Sequence, residues 1–84
     1  MSEVLEKRRE EVENGRINVM EDLFEVDSIL FLFEEGEKEL APELRDQLFQ
    51  KRMERVRNDI GEHIDILFAS AQSLMEQIKA ERES

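Results

Sequence analysis

His63 is the only histidine in the sequence, and Asp59 stands four residues before it. On a helix this spacing puts both side chains on one face, where an imidazole and a carboxylate can hold a metal ion. The neighbours do not complete such a site. Di-iron bundles use a Glu-x-x-His step with inward carboxylates from other helices, and the residue three before His63 is Ile60. Glu62, being adjacent, points elsewhere around the helix. A solvated or bundle-edge histidine is the expected state, so neither a metal nor a cofactor is assigned. A carboxylate–histidine metal-binding bundle stands as an alternative reading.

The strongest charge feature is a basic island, Lys51, Arg52, Arg55 and Arg57, in an otherwise acidic chain. Such an island can bind phosphate. It can also pair with Glu21, Asp22, Glu25 and Asp27 if the chain folds back on itself, and pairing is the expectation. Exposed pairs contribute about 0–1 kcal/mol each, so their role is to fix register more than to stabilise. Asp27 and Ser28 interrupt the most apolar stretch, and Asp27 is expected at its margin, reaching solvent or Arg52. Glu34, Glu35, Glu37, Glu39 and Glu43 form the densest negative patch, one that suits a basic partner. No nucleophile stands beside a matching base, and no glycine-rich loop is suited to phosphate. No catalytic residue is assigned and enzymatic activity is not expected.

The elements that must carry these residues are helices. Leu5, Val12, Val19, Val26 and Phe33 recur every seven positions, which is the period of a coiled seam. Leu23 and Leu30 are read as the alternate seam position, which Arg9 and Arg16 occupy earlier, so the first two heptads are expected to pack poorly at an open end. Asn14-Gly15 falls there, and the sequence leaves a kink or break open at that point, since glycine costs only about 1 kcal/mol within a helix. A second stripe, Ile17, Met20, Phe24 and Phe31, widens the apolar face beyond what one neighbouring helix can cover. Gly36 is predicted to close this helix in the left-handed conformation, and Pro42 with Glu43 suits the start of another. Leu44, Leu48 or Phe49, Met53, Val56, Ile60, Ile64, Leu67, Ala71, Leu74 and Ile78 then step by three or four along one face. The reading is all-α: one domain, 1–84, forming a long antiparallel helical hairpin with a helix over about 3–35, a turn over 36–41 and a helix over about 42–81.

Eighty-four residues build one domain whose core must be dense or shared with another chain. Two rods side by side leave aromatic side chains wet, and a four-helix bundle formed by a homodimer is the economical remedy. The expected interface is Ile17, Met20, Phe24, Phe31, Phe49, Met53, Phe68 and Met75. A formal charge of −10 repels phosphates and anionic lipids, so no direct nucleic-acid or membrane partner is expected. There is no cysteine, hence no thiolate metal site. Met1 to Glu11 begins with charge, and no apolar run approaches the ~18 residues of a span, so a cytoplasmic location is expected. The function expected is that of a protein-interaction module, a chaperone, adaptor or regulator that engages a second copy, an amphipathic helix or a basic surface. An acidic inhibitor, mimicking nucleic acid in a basic cleft, is the other alternative.

Overall fold

The computed structural model describes residues 2–83, so the ends of the expected domain, Met1 and Ser84, lie outside the described residues. Two helices run antiparallel: α1, Glu3–Phe31, and α2, Pro42–Glu83, joined through a single π-helical turn, Leu32–Gly36, and a short loop. The molecule is a rod of 64 × 16 × 12 Å. Its radius of gyration is 18.8 Å, against roughly 12 Å for a compact domain of this length. Among the described residues no helix is long and apolar enough to cross a membrane.

Local chemistry sets the ends of the rods. Ser2 caps α1, its Oγ accepting the Leu5 N–H at 3.1 Å, while Glu3 and Glu6 lie in the first turn, where the helix dipole favours carboxylates. The same hydroxyl donates to Glu81 Oε2 at 2.9 Å, which ties the expected open end to the last turns of α2. At the other end Gly36 does not take the left-handed conformation; among the described residues no glycine has a positive φ. The helix widens instead, and the Glu37 N–H reaches the Leu32 carbonyl at 2.8 Å. A Cβ at position 36 would sit 3.0 Å from Leu32 Cδ2, a tight contact with the end of one side chain.

The seam differs from the predicted one by a single residue. Leu5, Val12, Val19, Val26 and Phe33 do turn inward, but the alternate line is Arg8, Gly15, Asp22 and Ile29, all half-buried or buried. Arg9, Arg16, Leu23 and Leu30 are exposed. From α2, Phe49, Val56, His63, Ser70 and Gln77 alternate with Met53, Ile60, Leu67, Leu74 and Glu81, and none of these ten is exposed. Contacts at Gly15 with Leu67, Asp22 with His63 and Phe33 with Phe49 set the register. α1 runs unbroken through Asn14-Gly15. Gly15 is buried, and a Cβ on it would lie 3.2 Å from the Leu67 Cα, so glycine allows close approach here and does not break the helix.

Candidate interaction surface

The hairpin is stitched near its turn by polar contacts. Phe33 and Phe49 meet with ring centroids 4.9 Å apart, and the Arg45 guanidinium lies 5.1 Å from the Phe33 centroid, a cation–π geometry. Arg45 Nε is buried without a hydrogen-bond partner. Arg52 grips Glu37 with both guanidinium nitrogens, one of them at 3.1 Å from Oε2, and this hydrogen-bonded charge holds the Glu37 carboxyl below its ordinary pKa. Arg52 therefore pairs with the turn and not with Glu21, Asp22, Glu25 or Asp27. Among the described residues Lys51, Arg55 and Arg57 form no ion pair, and Asp27 is exposed.

Midway along the seam, Asp22 is buried and accepts from or shares a proton with His63 Nδ1 at 2.5 Å. Asp22, Glu25 and Asp59 place carboxylate oxygens within 4.8 Å of one another. The histidine thus serves a different carboxylate from the one that sequence spacing suggested. Its pKa is raised, first by the hydrogen bond to Asp22 and then by the charges of Asp22, Asp59 and Glu62. A proton on His63 offsets three gathered negative charges, so its loss destabilises the fold. Because the folded pKa lies above the unfolded one, this contribution is complete below the unfolded value and fades as pH rises through the raised one. Urea midpoints measured from pH 5.5 upward are expected to fall across that window, and His63→Gln should flatten the fall. An NMR titration of this sole histidine giving an unshifted pKa would remove the basis for the expectation.

Outside the seam the two long sides of the hairpin differ. On one side Val26 joins Gln50, Met53, Glu54, Val56, Arg57 and Ile60 around a groove between the helices. By the seven-residue repeat, Leu23 and Leu30 lie on this side of α1, and Ile64, Phe68, Ala71, Met75 and Ile78 on the same side of α2. Leu23 is 55% and Phe68 69% exposed. The reverse side carries Glu25 and Asp59 of the carboxylate cluster, and its repeat continues through Lys7, Asn14, Glu21, Arg55, Glu62 and Glu76. The groove side holds more of the exposed large apolar residues, with Gln50, Glu54 and Arg57 among them, and the reverse side holds more charge, with Ile66 exposed on it.

No protein family, curated protein or solved structure matches the chain.

The surface therefore carries the functional argument by itself. Of the residues predicted for the interface, Ile17, Met20, Phe24, Phe31, Phe68 and Met75 are exposed large hydrophobics. Met53 is half-buried in the groove. Phe49 is not available, since its ring is spent on Phe33 inside the hairpin. Leu23 and Leu30, assigned to the seam from sequence, belong on the outside, and a shallow depression lined by Met20, Leu23, Phe24 and Asp27 lies among them.

Proposed function

We propose that the chain is a non-catalytic helical interaction module, a chaperone, adaptor or regulator in kind, whose core unit is a homodimer. Two hairpins pack groove side to groove side as a four-helix bundle. One observation carries this reading: Ile29 and Val56 are the only fully buried hydrophobic residues among those described, while eleven large ones are exposed. The accessible surface is 6620 Å², against about 5200 Å² for a compact protein of this mass. The surplus exceeds the roughly 800 Å² per partner of a standard stable interface. A face two helices wide is covered most fully by another face two helices wide, and that arrangement leaves the charged sides in water.

The rival readings draw less support. An acidic decoy of nucleic acid has no use for phenylalanines standing among its carboxylates, and the Nδ1 of His63 is taken by Asp22.

Solution mass tests the reading. At micromolar concentration the chain should weigh twice its 10.0 kDa. Leu23→Glu and Phe68→Glu, both at exposed positions that leave the seam intact, should each weaken dimerisation about a hundredfold or more, the effect of burying an unpaired charge at an interface centre. Ala69→Glu, on the charged side, should leave the mass unchanged. A helical monomer at these concentrations, or equal effects from both sides, would overturn the proposal.

A further inference from the structure

Positions diametrically opposite a coiled seam face away from the partner helix of the hairpin. On α2 these are Leu44, Lys51, Asn58, Asp65, Gln72 and Lys79, all exposed and polar after Leu44. On α1 the equivalent line after Glu10 is Ile17, Phe24 and Phe31. Phe24 is 65% and Phe31 61% exposed. Two helices of one hairpin thus differ at the same structural position, and burial against the partner helix does not account for the apolar one.

The margins of this line carry a single sign. Residues 17–37 hold seven carboxylates, Glu21, Asp22, Glu25, Asp27, Glu34, Glu35 and Glu37, and no lysine or arginine. Asp22 is spent on His63, Glu37 on Arg52 and Glu35 on Lys38. Glu21 stands on one flank of the stripe and Asp27 and Glu34 on the other, and none of these three forms an ion pair among the described residues. An apolar ridge with acidic edges complements an amphipathic helix whose apolar stripe is bordered by lysine and arginine. Ile17 to Phe31 spans about 21 Å, the length of four helical turns.

We propose that the outward face of α1 docks a basic amphipathic helix of another protein, seated on Ile17, Phe24 and Phe31 with its cations against Glu21, Asp27 and Glu34. This rests on the interaction-module reading and gives the module its target surface, which borders the face that joins two copies along Asp27 and Glu34. A second copy is a poor occupant here. Setting α1 against its own counterpart would oppose carboxylate to carboxylate, and the outward line of α2 offers no apolar stripe.

The test uses the full chain and a labelled synthetic peptide of about 18 residues, leucine on one helical face and lysine on the rest, beside a scrambled peptide of identical composition. The amphipathic peptide should bind at least tenfold more tightly than the scrambled one, more weakly as salt rises, and without changing the mass of the protein dimer. Phe24→Glu and Phe31→Glu should each cut its affinity about tenfold or more. Each adds a negative charge that would tighten a purely electrostatic attachment, so a loss reports the apolar seat. Equal binding of the two peptides, undiminished binding to Phe24→Glu, or dissociation of the dimer by Phe24→Glu would overturn the proposal. A dimer that ignores the peptide refutes this inference alone. A folded monomer that also ignores it removes the interaction-module reading as well.

Discussion

Ile29→Ala is expected to cost about 2–5 kcal/mol, the usual range for emptying a buried Ile or Leu site. Among the described residues Ile29, 4% exposed, shares the buried apolar core only with Val56, itself 1% exposed. A chain of this length has a total stability of roughly 4–13 kcal/mol, so this one truncation removes a large share of it. The neighbouring truncation, Leu30→Ala, makes the comparison informative. Leu30 is 40% exposed and lies on the groove side, where the proposed second copy covers it. Its removal should therefore cost more as protein concentration rises, because dimerisation adds to stability by mass action, whereas Ile29→Ala should lower the urea midpoint at every concentration. Similar losses from the two variants at high dilution would mean that the seam has been placed on the wrong line of α1.

That comparison turns on a point at which sequence reasoning went astray. The repeat Leu5, Val12, Val19, Val26 and Phe33 marked the inner face of α1, and Gly36 to Pro42 marked the reversal. By hydrophobicity alone the alternate seam line is Leu23 and Leu30, the apolar choice. In the structure that line is Arg8, Gly15, Asp22 and Ile29. Helix α1 carries apolar residues on three adjacent lines, facing the seam, the groove side and open solvent, and hydrophobicity does not say which pair of lines meets α2. Register does, and register is a property of both helices together. Gly15 is small where Leu67 comes close, and Asp22 is acidic where the only histidine arrives. Each looks like an interruption when α1 is read alone, and each is a complement once α2 lies beside it.

The same logic applies to the charges. The basic island was expected to pair across the hairpin with the acidic residues of α1, since folding about the loop brings the two stretches alongside. Arg52 instead reaches Glu37, the residue that follows the π-helical turn Leu32–Gly36. The exposed aromatics were legible throughout. Ile17, Phe24 and Phe31 recur at seven-residue intervals just as the seam does, and only their position half a turn from the seam, known once the seam was fixed, separates an outward docking ridge from a second layer of core.

The close approach of the two helices at Gly15 supplies the other large effect. A Cβ on Gly15 would lie 3.2 Å from both the Cα and the Cδ1 of Leu67. For Gly15→Ala two effects oppose each other: alanine gains about 1 kcal/mol of helix propensity, but its methyl meets backbone, which yields less readily than a side chain. The net change is expected near zero. Gly15→Leu adds bulk with nowhere to go, since Val12 and Val19 fill the seam on α1 and Leu67 closes it from α2. Overpacking of this kind costs about 1–3 kcal/mol, and forcing two long rods apart at one level puts this site at the upper end of the range. The strain should travel. Asp22 sits seven residues along the same line, so separating the rods at Gly15 loosens its hydrogen bond to His63. The pKa of His63 in Gly15→Leu should accordingly fall back toward its ordinary value, in step with a lower urea midpoint. A Gly15→Leu protein as stable as the parent, with its histidine titrating as before, would mean that the helices do not meet at Leu67. The register that puts Leu23 and Phe24 on the outside would then have to be abandoned.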